Sequence, residues 1–254
     1  MRIITFNANG IRAADRKGFF DWLATMDADV VCIQETKAQA HQLTAPQFCP
    51  SGYHCQYVDA ERKGYSGVAM YSREQPNSIK TELGLPEFDA EGRYCAFDYG
   101  DYQIASLYLP SGSAGDHRQA SKERFLEQYL PLLEQAVSSG KSMILCGDLN
   151  ITHRDIDLKN AKANRKSSGC LPHERAWLDQ LFDQLGFIDT HRYLKPDVAE
   201  YTWWSNRANA WNNNVGWRID YQLATADWQP QIKAVQVYRE EKFSDHAPLI
   251  VDYA

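Results

Sequence analysis

The residues from Cys146 to His153, Cys-Gly-Asp-Leu-Asn-Ile-Thr-His, place an aspartate and an asparagine two positions apart where an apolar strand, Met143 to Cys146, runs into polar sequence. Residues i and i+2 of a strand point the same way. Asp148 and Asn150 would therefore present one acidic acceptor and one neutral amide to a single water or phosphate oxygen. Asp and Asn also close strands as turn formers, so the pair alone decides nothing. The pattern recurs at the ends of other predicted strands: Asn7, Glu35, Tyr108, Asp220 and the run Ser244-Asp245-His246. So many repeats exceed what turn decoration explains. A hard divalent cation takes oxygen ligands, and Mg²⁺ is typically held by one or two carboxylates while a substrate phosphate completes its shell. Glu35 is the best ligand candidate, with Asp245 or Asn7 completing a loose site.

The elements that must position these groups follow from apolar periodicity. Arg2 to Phe6 reads as a short strand ending in Asn7-x-Asn9-Gly10. Phe19, Trp22, Leu23 and Met26 have helical spacing, and Val30 to Ile33 is a continuous apolar run, so the opening is strand, helix, buried strand. That second strand ends in Gln34-Glu35-Thr36-Lys37. Runs at Val68 to Tyr71, Ile79 to Leu83, Arg93 to Tyr99 and Gln103 to Leu109 are separated by turn signals and predict an antiparallel series. A long amphipathic helix follows, with Phe125, Tyr129, Leu132, Leu133 and Ala136 on one face and Gly140 past its end. It leads into the Met143 strand. Pro172 suits a first helical turn; Trp177, Leu178, Leu181, Phe182 and Leu185 form a buried stripe, and Gly186 ends it. Tyr201 to Trp204, Ile219 to Ala224, Ile232 to Val237 and Leu249 to Tyr253 are the remaining strands. The chain is therefore expected to be mixed α/β. It has no glycine-rich phosphate loop and no internal repeat, which argues against nucleotide-binding folds of the Rossmann and P-loop kinds.

With 254 residues, 44% of them hydrophobic, the chain can bury a large core, and no Pro/Gly/Ser linker divides it. One domain over residues 1–254 is expected. The start, MRIITFNANG, lacks the basic and apolar regions of a signal peptide, and no apolar run approaches a membrane span. A soluble, cytoplasmic, monomeric protein without membrane contact is expected. Six cysteines show no C-x-x-C spacing and read as reduced core residues, with neither a disulfide nor a zinc site expected. The net charge of -6 argues against general polyanion binding. Its distribution matters more: Lys159, Lys162, Arg165 and Lys166 follow the Asp-x-Asn closely, and Arg62-Lys63 and Arg12, Arg16, Lys17 form smaller clusters.

Four segments, Cys32-Ile33-Gln34-Glu35-Thr36-Lys37, Gly147-Asp148-Leu149-Asn150-Ile151, Asn214-Val215-Gly216-Trp217-Arg218-Ile219-Asp220-Tyr221 and Ser244-Asp245-His246-Ala247-Pro248, resemble the signature blocks of the exonuclease III family of abasic-site endonucleases. They occur in that family's order and span nearly the whole chain. The resemblance implies a four-layer α/β/β/α sandwich, like deoxyribonuclease I, with the active site where strand ends converge. It implies a Mg²⁺-dependent phosphodiesterase, with Mn²⁺ able to substitute, acting on double-stranded DNA with abasic sites or blocked 3′ ends. By motif, Glu35 resembles the metal ligand, with Asn7, Asp245, Asp148 and Asn150 near the cation. Asp148 resembles the residue that deprotonates or orients the attacking water, and Asn150 its positioning partner. His246 resembles the phosphate-contacting imidazole, Asp220 the carboxylate that fixes it, and Tyr108 a phosphate-contacting phenol. Asn160 to Ser168 resembles a loop lying along DNA phosphate, with Asn160 and Asn164 as donors beside Lys162 and Arg165. Trp203, Trp204 and Trp217, with Ile219, resemble an aromatic pocket for a baseless sugar. Because neighbours on a strand alternate, one of Trp203 and Trp204 should face inward. Two other readings compete. A non-catalytic RNA-binding regulator similar to the catabolite-repression control proteins would have lost catalytic positions that are present here. A lipid or inositol-phosphate phosphodiesterase would leave the basic loop and tryptophans unexplained.

Overall fold

The computed structural model describes residues 1–254. One six-stranded sheet has the order β13(Ile232–Val237), β14(Leu249–Tyr253), β1(Arg2–Asn7), β2(Val30–Gln34), β4(Val68–Ser72), β3(His54–Val58). The other runs β5(Ser78–Lys80), β6(Tyr94–Asp98), β7(Tyr102–Tyr108), β8(Ser142–Asp148), β12(Asp220–Ala224), β9(Ile188–Asp189). Alternation along the strands builds three cores. Ile3, Val30, Cys32 and Met70 of the first sheet meet Phe97, Ile104, Ile144 and Cys146 of the second in the central core. Ile4, Val31 and Ile33 turn outward onto Ile11, Phe19 and Trp22 of two short helices, Ile11–Asp15 and Phe19–Thr25. Leu107 and Leu145 turn outward onto Phe125, Leu133 and Leu178 of the helices Asp116–Ser138 and Pro172–Asp179. Helix, sheet, sheet and helix are thus the four layers that the resemblance implied.

Two parallel crossovers decide where chemistry can occur. β1 and β2 run parallel with Asn7 opposite Gln34, and β7 and β8 run parallel with Tyr108 opposite Asp148. Parallel strands end at the same edge, so each crossover delivers two polar strand ends together. Antiparallel β12 begins there, with Asp220 opposite Asp148. The short pair β10(Trp203–Trp204) and β11(Gly216–Trp217) caps the same edge, and a bridge joins Trp203 to His246.

Three expectations need correction. The antiparallel series divides between sheets: β4 pairs with β2 and β3, whereas β5, β6 and β7 form a separate meander. Turn signals mark strand ends but carry no information on which sheet receives the next strand. The edge strand β3, His-Cys-Gln-Tyr-Val, has no buried residue and so no clear apolar period, and the run from Ile79 shortens to the exposed β5. Finally, Cys49 and Cys55 form a disulfide, their Cα atoms 5.8 Å apart, tying the turn after Pro46–Phe48 to β3. That chain reversal, not a short Cys spacing, brings them together. Cys32, Cys95, Cys146 and Cys170 are free and buried, as expected.

Candidate active site

The floor of the site lies between the two sheets at the shared edge. Asn7 is fully buried, and its amide nitrogen donates to Glu35 Oε1 and to Asp148 Oδ2, both at 2.9 Å. One side chain of the first sheet therefore holds a carboxylate from each. Asn7 Oδ1 accepts the N–H of Asn9 at 2.9 Å, so Asn7 braces the two carboxylates with its nitrogen rather than turning an oxygen toward a cation. Glu35 (φ 50) and Asn150 (φ 53) both occupy the left-handed region just past their strands, conformations that persist where surroundings over-determine them. Asn150 donates its N–H to Asp148 Oδ1 at 2.8 Å and its amide to Leu109 O at 2.9 Å. The Asp-x-Asn thus closes on itself as an Asx turn and still lines the cleft.

His246 donates Nδ1–H to Asp220 Oδ2 at 2.9 Å, which leaves Nε2 facing Asp148 at 3.9 Å. Burial works against the imidazolium, but the negative charges of Asp220, Asp148 and Asp245 outweigh it and push its pKa up to about 10. Burial, then the charges of Asp220 and Glu35, push Asp148 up to about 8, against the pull of His246. The floor therefore carries excess negative charge and holds protons against it. Oδ1 of Asp220 is buried without any partner. Ligand atoms of Glu35, Asp148 and His246 all lie within 4.8 Å of one another, so these three could hold a metal ion. His246 enters this group although its sequence motif pointed only to phosphate. Asp245 is half-buried beside them, its oxygens accepting from the Asn9 amide, Ser244 and Trp203 Nε1. Tyr108 sits under the Arg93 guanidinium, 4.8 Å from the ring centroid, and burial with nearby Glu35 raises its phenol well above its usual range.

Above this floor opens a cleft of about 810 Å³ lined by Glu35, Tyr108, Asp148, Asn150, Asp245, His246, Trp203, Trp217 and Ile219. Nine of the expected site residues thus meet in one cavity, and Asn7 and Asp220 stand directly behind them. Trp203 and Trp217 meet edge to face, centroids 6.0 Å apart. Trp204 does not belong to the pocket: it is wholly buried, against Trp211 and beneath Arg239. Alternation on β10 sends one tryptophan to the cleft and its neighbour to the core, and the structure identifies which. Asn160, Lys162, Asn164 and Arg165 lie outside the cleft lining, on and beside the short helix Ala161–Asn164. Asn164 donates to Asn160 O at 3.1 Å, and Arg165 approaches Asp155 at 3.5 Å. Lys166, Ser167 and Ser168 form the wall instead.

Sequence reasoning missed Asn9, Lys37 and Gln119 as lining residues. Lys37 pairs with Glu35 at 2.7 Å; its place two residues after Glu35 in a polar strand end was a usable signal. Nothing local marks Gln119, on the long helix.

Residues 4–246 match the model of the endonuclease/exonuclease/phosphatase family, and the chain belongs to that family. An exodeoxyribonuclease of Bacillus subtilis is 38% identical over 98% of this chain and 98% of its own length. The DNA repair nuclease APEX1 of Danio rerio is 37% identical over 98% of this chain and 81% of its own. Among solved structures, a 3′ phosphatase, NExo, from Neisseria bound to a product DNA hairpin superposes with a TM-score of 0.89 at 27% identity, covering 100% of this chain and 99% of that one. No helix is long and apolar enough to cross a membrane.

Proposed function

We propose that this chain is a Mg²⁺-dependent DNA repair phosphodiesterase that cuts the backbone 5′ to abasic sites and also trims 3′ ends. The convergence of Glu35, Asp148 and the Asp220–His246 pair on one floor, walled by Trp203 and Trp217, carries this reading. The relatives named as a DNA exonuclease and a DNA repair nuclease support the substrate class.

The donor set fits a hard cation: the carboxylates of Glu35 and Asp148 converge, His246 stands beside them, and Asp220 leaves an unpartnered oxygen behind them. Bound there by Glu35 and Asp148, with Asp245 alongside, Mg²⁺ would offset phosphate charge and favour hydroxide over water. The chain's own groups account for the rest. Asp148, held by Asn7 and the Asn150 N–H, orients the attacking water and takes its proton. His246, kept protonated by Asp220, aims Nε2–H at a phosphate oxygen, where charge grows in the transition state. Trp203 and Trp217 bound a space for a bare sugar. A nucleotide without its base gives up no pairing or stacking when turned out, whereas a normal one pays roughly a few kcal/mol.

Incubating a duplex carrying one abasic analogue with Mg²⁺ should nick it on the 5′ side of the lesion, and EDTA should stop the reaction. Equal cutting of an undamaged duplex would sink the lesion-specific reading, and cutting in EDTA the metal-dependent one.

A further inference from the structure

Lysine is almost never fully buried unless paired, yet Lys122, within the helix Asp116–Ser138, has no exposed surface, and neither does its partner Glu174. The helix does not need it for packing, since Phe125, Leu126, Tyr129 and Leu133 already anchor it to the second sheet. What Lys122 reaches is the catalytic strand end: Nζ donates to Asn150 O at 2.8 Å and contacts Glu174 Oε1 at 2.7 Å. Asn150 is the left-handed residue whose N–H holds Asp148. The N–H that Asp148 accepts belongs to the Leu149–Asn150 peptide and the carbonyl that Lys122 holds to the Asn150–Ile151 peptide, so hydrogen bonds fix the main chain on both sides of this left-handed residue.

Glu174 carries the link on to the turn at Gly169. Its Oε2 accepts Gly169 N–H at 2.6 Å and Leu171 N–H at 3.1 Å, and Gly169 O in turn accepts from Thr152 N at 2.8 Å. Gly169 threads between Asn150 and Trp217: a Cβ there would stand 2.9 Å from Asn150 O and 3.2 Å from the indole. Ser167 and Ser168, just before this turn, line the wall. A single buried ion pair therefore touches both the strand end that carries Asp148 and the turn beneath Trp217. An ion pair taken out of water contributes little to stability compared with apolar replacements, so its placement calls for another explanation.

We propose that Lys122 and Glu174 are positioning residues for the site, a clamp that fixes the Asn150 main chain and the Gly169 turn and through them sets Asp148 against Trp217; this rests on reading the cleft as a phosphodiester-cleaving site. The decisive variant is K122M/E174Q, which removes both charges, keeps the methylene packing and leaves an amide oxygen for Gly169 and Leu171. Single-turnover cleavage of the abasic duplex, duplex affinity and backbone amide exchange at Asn150 and Thr152 are measured on wild type, K122M and the double variant, at a temperature where circular dichroism shows each folded. Misplacing a reacting group by about 1 Å costs roughly 10²-fold. The clamp predicts cleavage slowed by about 10- to 100-fold in both variants, affinity within about threefold, and faster amide exchange at Asn150 and Thr152. A double variant that cleaves within about threefold of wild type, or unchanged exchange at those amides, overturns the clamp and leaves a purely structural pair. Amide exchange is read without DNA. Wild-type protein inactive on the duplex with exchange accelerated in K122M would therefore sink the nuclease reading and keep the clamp.

Discussion

Two buried charge clusters lie within this fold, and they are built on opposite plans. Beneath β11, Asp157 and Asp189 face Arg192 and Arg218, two acids against two bases. Arg218 donates to Asp157 at 2.8 Å and to Asp189 at 2.7 and 3.1 Å, and Arg192 reaches Asp157 as well. Burial alone would raise the Asp157 carboxyl, but Arg218 and Arg192 outweigh it and hold it well below the usual carboxylate range. At the cleft floor, Glu35, Asp148, Asp220 and Asp245 face one imidazole and the rim ammonium of Lys37, and an oxygen of Asp220 has no partner. The first cluster is complete in itself and locks the segment before the basic loop to β12. The second keeps an excess of acids over cations at the floor of an open cleft. Burial is common to both; charge balance separates a structural network from a reactive one.

The largest expected effect tests that contrast directly. Asp148→Asn should slow cleavage by about 10²- to 10⁴-fold, the range for a positioned base, while DNA binding holds or tightens and stability does not fall. Arg218→Met should do the reverse, costing about 3–5 kcal/mol in urea unfolding because two buried carboxylates lose their partner, with single-turnover cleavage retained where the protein is folded. If Asp148→Asn unfolds the protein as readily as Arg218→Met, the two clusters do not differ in kind.

The tryptophans repeat the comparison on a smaller scale. Trp204→Ala should destabilise by about 3–5 kcal/mol, the range for a buried large aromatic, and leave untouched the ratio of abasic-site cutting to removal of undamaged 3′ nucleotides. Trp217→Ala or Trp203→Ala should lower that ratio. The check is a pair of single-turnover rates on duplexes identical except for the lesion; the same ratio in wild type and all three variants would contradict a sugar pocket.

Excess negative charge also sets a pH dependence. With its pKa raised to about 8, Asp148 holds a proton below that pH in the cation-free protein, and a metal ion must displace it. Half-saturating Mg²⁺ should therefore fall as pH rises from 6 toward 8, by at most about tenfold per unit, and level off above. A constant Mg²⁺ requirement across that window would show that no proton competes. The smallest effect belongs to the basic loop. Neutralising Lys162 and Arg165 should weaken binding to damaged and intact duplexes alike and flatten the salt dependence by roughly 0.9 log units for each phosphate that is no longer neutralised, measured by anisotropy titration at several salt concentrations. Weaker binding at the lesion only would mean that these cations read the damage.

Strand ends were legible because they are local. Asn7, Glu35, Tyr108, Asp148 and Asp220 each follow or open a short apolar run, and the run dictates where the chain emerges from the core. The disulfide and β3 were not, since an exposed edge strand has no buried face to imprint a pattern and a pair six residues apart carries no motif. Lys122 and Glu174 were hidden for a different reason. A lysine and a glutamate on helices read as solvated, and only the approach of two helices from distant parts of the chain takes them both out of water.

The sequence by itself determined the two-layer alternation, the crossover helices and the residue types at each strand end, because backbone periodicity and side-chain chemistry are properties of short segments. Which of two adjacent tryptophans faces the cleft, which sheet receives β4, and that Asn7 of one sheet bonds Asp148 of the other 141 residues away were decided only by tertiary structure. Those outcomes depend on how two sheets stack and register against each other, and no stretch of sequence shorter than the whole core contains that information.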